Sequence, residues 1–254
     1  MTKITMTIKD AKGNVKQGKN EYEEIFRPME ATMEDCCHLA TSELTLEDGD
    51  MIEISLDQEN QYLIVKLDET LDRSLVFIPN KKMSFQVTLS ENAKTSQSDL
   101  TFMGKKHYLE ARVAYDFEIS NYQNLSVNTH DQKNFTGAYP HAFANVETRD
   151  EAVFFAENAI DGVLATKQHG PYPYESWGIN RQADAALTID FGRKVEVDQV
   201  AFTLRADYPH DSYWEEVTLE FSDGSAEIFK TTNSDRPQFF KFPKREISTV
   251  TFTH

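Results

Sequence analysis

Along most of this chain apolar and polar residues alternate one by one. In MSFQVTL, Met83, Phe85, Val87 and Leu89 share one side, with Ser84, Gln86 and Thr88 between them. In QYLIVKL, Leu63, Val65 and Leu67 share one face and Tyr62 and Ile64 the other, so both faces of that strand are expected to be covered. AALTIDF turns Leu187, Ile189 and Phe191 inward, and EVTLEF does the same with Val217, Leu219 and Phe221. A period of two is strand spacing, and helical spacing does not fit it. Asp48-Gly49 and Asp223-Gly224 each lie between two such runs and suit two-residue hairpin loops, which need positive φ at both central positions. Lys12-Gly13 is a weaker third case. One segment reads differently. Thr148 and Glu151 form the T-x-x-E pattern of a capping box, an apolar run from Ala152 to Ala156 follows, and Gly162 offers a stop. This predicts a helix of about two to three turns.

Composition narrows the class. The chain has 254 residues, 39% of them hydrophobic, enough for a sizeable core and too many for wholesale disorder. Lys and Arg number 26 against 42 Asp and Glu, a net charge of −16, which repels phosphate; nucleic acid and anionic lipid surfaces are not expected partners. No run of 18 apolar residues suggests a membrane span. The two cysteines, Cys36 and Cys37, are adjacent, so a disulfide framework is not expected. Reduced thiols and a first segment without a signal-peptide core point to a cytoplasmic location.

Alternation at 51–56, 62–67 and 83–89 gives several one-sided strands at ordinary spacing and predicts an antiparallel sandwich in residues 1–118. Residues 118–148 lose periodicity and are rich in Asn, His and aromatics, so 119–145 reads as a connection wrapping onto a second domain at 146–254.

The second domain carries three pieces in a recognisable order. A short turn leads into Ala159-Ile160-Asp161-Gly162, Trp177 follows in SWG, and then comes Leu187-Thr188-Ile189-Asp190-Phe191-Gly192 before the valine-rich VEVDQVAF. Together they resemble the discoidin or coagulation factor 5/8 type C family, which overlaps the galactose-binding-like carbohydrate-binding modules. LRADYPHDSYWEEVTLEFSDGS also looks like a group of uncharacterised carbohydrate-binding-like proteins of Gram-positive bacteria. The resemblance implies an all-β chain of two jelly-roll sandwiches, the second galactose-binding-like, and non-catalytic sugar binding by loops. It further implies a structural calcium at Asp161, a turn position whose oxygen ligands suit that ion. The family's last strand and its Glu have no counterpart in the matching stretch, which weakens that expectation, and Asp161 could instead cap its own turn.

Two loop clusters hold the candidate chemistry. One is Arg205, Asp207, Tyr208, His210, Asp211, Tyr213 and Trp214, between two strand-like runs; the other is His169, Tyr172, Tyr174, Glu175 and Trp177. Sugar recognition needs an aromatic face for the C–H side of a ring and charged planar groups for its hydroxyls. Ligand-binding residues are therefore expected at Arg205, Asp207, His210, Asp211, Trp214, His169, Tyr172, Tyr174 and Trp177. Against this, Trp177 and Trp214 could be packing residues, and Arg205 with Asp207 could be an ion pair that pins the loop. The alternatives to sugar binding are a structural or protein-interaction module and a glycan-active hydrolase using His169, His210 and the Asp residues. No nucleophile, phosphate-loop or compact zinc motif is present in the sequence.

Overall fold

The computed structural model describes residues 1–20, 25–209 and 212–253, and within them the chain is all-β. The strands are β1 (Lys3–Lys9), β2 (Gln17–Gly18), β3 (Arg27–Pro28), β4 (Glu30–Glu34), β5 (Cys36–Ala40), β6 (Met51–Leu56), β7 (Gln61–Lys66), β8 (Ser74–Ile78), β9 (Lys82–Gln86), β10 (Tyr108–Val113), β11 (His141–Ala144), β12 (Leu187–Phe202), β13 (Glu216–Phe221), β14 (Ala226–Lys230) and β15 (Gln238–Thr253). Two short helices, α1 (Glu91–Lys94) and α2 (Asp116–Ser120), interrupt them. No helix among the described residues is long and apolar enough to cross a membrane.

The first half forms two four-stranded antiparallel sheets, in the orders β4-β1-β6-β9 and β5-β10-β7-β8. Their inner faces share one core. Ile4, Met6 and Ile8 of β1 and Ile52 and Ile54 of β6 meet Leu63 and Val65 of β7, Val76 and Ile78 of β8 and Leu109 of β10, all with no measurable exposure. Each such side chain contributes about 1.5–3 kcal/mol by leaving water. Alternation also separates the two thiols: Cys36 is exposed, while Cys37 is buried in the core, where burial pushes its pKa up. The outer face of β7 and β8 is covered as well. The Arg193 guanidinium lies 4.8 Å from the Tyr62 ring and 5.3 Å from the Phe77 ring, an arrangement that shields part of its charge from water.

The connection packs on both halves: toward the second, the Asn128 amide donates to Ile160 O and the Tyr122 hydroxyl to Asp198 Oδ1, and toward the first it makes a close join. Phe77 and Tyr139 exchange a pair of backbone hydrogen bonds at 2.9 Å, and Ser84 N donates to Thr136 O. His130 has no exposure; its Nε2 accepts the Leu67 amide, and burial takes its pKa down to about 3. A neutral ring is therefore part of the join. Asp131, also buried, accepts from His141 Nδ1 and from the Ala142 amide, which ties the connection to β11.

The second half is built on one five-stranded antiparallel sheet, β11-β12-β15-β13-β14. Leu187, Ile189, Phe191, Val217, Leu219 and Phe221 form its buried face, as their alternation predicted. Among the described residues this face is met by loops and 3-10 turns, and no second hydrogen-bonded ladder stands opposite. β12 and β15 slip in register between Asp190 and Val195. Gly192 sits in that bulge with φ +64°, and a Cβ there would fall 2.2 Å from the Tyr139 ring, so glycine is required.

Three local expectations are corrected. The helix after Thr148 is instead a series of 3-10 turns, Thr148–Asp150, Ala152–Phe154 and Ala156–Ala159. Arg149 and Asp150 are left-handed there, and Phe155 is extended. The capping box does not close, because Thr148 Oγ1 takes the Asn180 amide and the Glu151 carboxylate takes the Arg149 fork. The Asp-Gly turns at 48–49 and 223–224 have positive φ at the glycine only, so neither is the paired-positive type; β13 and β14 are joined by a longer loop closed by Phe221 N to Ser225 O. Asp48-Gly49 does not join two neighbours in one sheet, since β5 and β6 lie in different sheets.

Candidate functional site

The two loop clusters face each other through one polar trio. Beyond β12 the chain runs as an irregular loop, and the Ala206 amide donates to Thr166 O, drawing the 203–209 stretch against residues 164–170. Arg205 grips Asp207 with a two-pronged guanidinium fork, Nη2 to Oδ2 at 2.7 Å and Nε to Oδ1. His169 Nδ1 meets the same carboxylate at 2.5 Å. The Asp207 side chain is only 9% exposed, and the Arg205 fork, helped by His169, holds its carboxyl down at about 2. Asp207 is thus an anion at any ordinary pH and ties Arg205 and His169 together. Among the described residues no hydrogen bond uses Arg205 Nη1 or His169 Nε2, so hydrogen-bonding capacity remains beyond the trio.

The tryptophans lie close by. Trp177 and Trp214 meet edge to face with centroids 5.7 Å apart, both half-buried against the second core. Trp177 Nε1 donates to Val146 O, so its polar edge already serves the fold. Gly178 lets this stretch lie close to the 3-10 turns: a Cβ there would fall 2.7 Å from Thr148 Oγ1 and 2.8 Å from the Phe154 Cβ. Arg205, His169, Tyr174, Trp177, Tyr213 and Trp214 all line one cavity of about 2160 Å³ between the five-stranded sheet and its covering loops. That far exceeds the roughly 300–1,000 Å³ of a small-ligand pocket. Asp207 itself is not among the residues lining this cavity.

Not every expected residue joins this group. Tyr172 is exposed, donates its amide to Thr95 O and lines a separate cavity of about 430 Å³. His210 and Asp211 lie outside the described residues. Asp161 also lines the smaller cavity, with Glu175 and Glu157. Its Oδ1 accepts the Val163 amide at 2.7 Å, which is a turn-capping role. Burial pushes the Asp161 carboxyl up to about 7, against the Val163 amide, with the Glu175 charge adding to the rise. Glu175 is itself raised by burial, and its Oε2 is buried without a hydrogen-bond partner. A hard cation wants oxygen donors and neutralises crowded carboxylates. Glu175 is thus a second buried carboxylate beside the same cavity, which the sequence pattern did not offer.

Glu157 went unmarked in the sequence, where AENA reads as an ordinary polar helix face. Its Oε2 is also buried without a partner, and burial, with Asp131 nearby, pushes the group up to about 8.

The chain matches no family model and no curated protein. Among solved structures it is similar to the family 32 carbohydrate-binding module of Clostridium perfringens NanJ in complex with galactose, at 18% identity, covering 44% of this chain and 79% of that one, with a TM-score of 0.33. It is similar to the CBM32-1 and CBM32-2 domains of Clostridium perfringens ZmpB, at 11% identity, covering 97% and 88%, with a TM-score of 0.34. It is also similar to allantoicase from Saccharomyces cerevisiae, at 11% identity, covering 85% and 76%, with a TM-score of 0.33.

Proposed function

We propose that this chain binds a carbohydrate without transforming it, through the loops at 164–177 and 203–214. The observation that carries the reading is the Arg205–Asp207–His169 trio beside the Trp177–Trp214 pair. A saccharide presents adjacent hydroxyls and an apolar ring face. Arg205 Nη1 would donate to a hydroxyl oxygen and His169 Nε2 would share a hydrogen bond with a neighbouring hydroxyl, while the locked Asp207 carboxylate holds both in place; charge-assisted bonds such as that from Arg205 are the stronger kind. Fixing the fork beforehand lowers the entropy lost on binding. The half-buried indoles would receive the ring's C–H side. A hydrolase would need two acid–base groups with separated roles at one bond, and Asp207, held as an anion chiefly by the Arg205 fork, suits binding better than proton transfer.

A structural calcium belongs to the same reading. Asp161 and Glu175 would hold it, and it would stiffen the turn leading into the 164–177 loop by neutralising two buried carboxyls.

Screening the protein on a glycan array, followed by titration of the retained sugar against Trp214→Ala and Asp207→Asn, tests the proposal. Binding lost in both variants while their melting temperatures remain well above the assay temperature supports it. No retained glycan, or binding indifferent to both changes, overturns it in favour of an interaction module.

A further inference from the structure

We infer that the first half carries a binding site for a divalent transition-metal ion of the zinc class, made by Asp68, Glu69 and His107. Among the described residues, one donor atom from each of these three lies within 4.8 Å of the others. Strand pairing creates the meeting. β7 and β10 are antiparallel with Glu110 opposite Lys66, so the residues after β7 run beside those before β10.

Each side chain is held for reasons separate from the others. Asp68 is buried; its Oδ1 accepts from the Thr70 amide and hydroxyl, and its Oδ2 accepts from the Phe102 amide at 2.8 Å. Glu69 Oε1 accepts the Tyr108 amide at 2.6 Å, which draws its carboxylate to the start of β10. His107 Nε2 lies 3.1 Å from Leu44 O. A carbonyl oxygen can only accept, so Nε2 carries a proton, and Nδ1 is the nitrogen left to offer a lone pair.

That lone pair is the second, independent sign of a ligand. The His107 side chain is 1% exposed, Nδ1 has no hydrogen-bond partner, and the nearest charged atom is Glu69 Oε2 at 3.9 Å. A buried acceptor facing an anionic oxygen is unfavourable on both counts. A proton on Nδ1 does not repair it, because 3.9 Å is too long for a hydrogen bond. The Lys66 ammonium is turned to the carbonyls of Glu69 and Leu71 instead. A cation between the three donors satisfies all of them.

The donor set selects the ion. Imidazole nitrogen with carboxylate oxygens suits zinc and its neighbours, whereas calcium and magnesium prefer oxygen alone. Zinc bonds of about 2.0 Å at tetrahedral angles want donors roughly 3.3 Å apart. The site must close by about 0.6 Å from the 3.9 Å seen between Nδ1 and Oε2, and Glu69, with its side chain 49% exposed, can supply that movement. The same exposure provides the way in and leaves room for water as a fourth ligand.

The test is calorimetric titration of the whole chain, stripped with chelator, with zinc chloride, and separately with calcium and magnesium chlorides. One zinc per chain should bind and raise the melting temperature. Glu69→Gln keeps the acceptor for the Tyr108 amide, and His107→Gln keeps a donor for Leu44 O; each should weaken zinc by about tenfold or more. Glu91→Gln, at a carboxylate 99% exposed, should leave it unchanged. If His107→Gln does not fold, the cobalt(II) spectrum of the parent against Glu69→Gln decides. Absence of stoichiometric zinc binding, or zinc binding and cobalt bands unchanged by Glu69→Gln, overturns the inference.

Discussion

Replacing Glu157 with Gln should make this protein more stable at neutral pH and leave it nearly unchanged in acid. Glu157 Oε2 is buried without a partner, and burial, reinforced by Asp131, Glu147 and Asp161, pushes the carboxyl from its usual 4.5 up to about 8. A raised folded-state value means that the native protein prefers the protonated group. Below about pH 4.5 both states hold the proton and nothing is lost. Above it the unfolded chain releases its proton while the native chain keeps it, so native stability declines until pH passes about 8. The linkage is worth about 1.4 kcal/mol per pH unit, so the loss at pH 7 is on the order of 3 kcal/mol, a large part of a typical domain's stability. Glutamine has no proton to lose and keeps the carbonyl that accepts from the Lys133 backbone. Urea unfolding at pH 4 to 7, in chelator and followed by tryptophan fluorescence, reads this directly, since both tryptophans lie in the same half as Glu157. The expected result is a gap between variant and parent that is small at pH 4 and widens with pH. A gap that stays flat, or a variant less stable at pH 7, would refute the burial argument.

Asp207→Asn should cost about 1–3 kcal/mol, because it leaves Arg205 and His169 without their shared anion. Asp207 has a depressed pKa, so its contribution is whole above about pH 4 and fades toward about pH 2; the Asn variant should lack that part of the parent's acid sensitivity in urea melts. Gly178→Ala should destabilise by about 1–3 kcal/mol, since its Cβ would meet Thr148 Oγ1 at 2.7 Å; a thermal melt unchanged from the parent would count against the packing described. If Asp161 and Glu175 hold calcium, chelator should lower the melting temperature of the parent and leave Asp161→Asn unmoved.

Strand content was legible from alternation alone. Met83, Phe85, Leu187, Ile189, Val217 and Leu219 are all buried because side-chain direction in a strand follows the parity of position, a local property. The glycine at 192 stood in a readable motif for a reason that only the fold shows, the Tyr139 ring lying against it. Where local signals competed, neighbours decided. The Thr148 capping pattern failed because Asn180 and Arg149, brought in by the fold, took its two side chains. Loop chemistry was legible in kind and not in partnership: Arg205 and Asp207 are close in sequence, but His169 reaches them across 38 positions. The Asp68–Glu69–His107 cluster and the buried acid at 157 could not be read at all, and Glu175 was legible only as a loop residue, not as a buried acid. Adjacent acids and a distant histidine carry no periodic signal, and what makes them chemical is lost contact with water, which is set by packing across the sheets and not by any short stretch of chain.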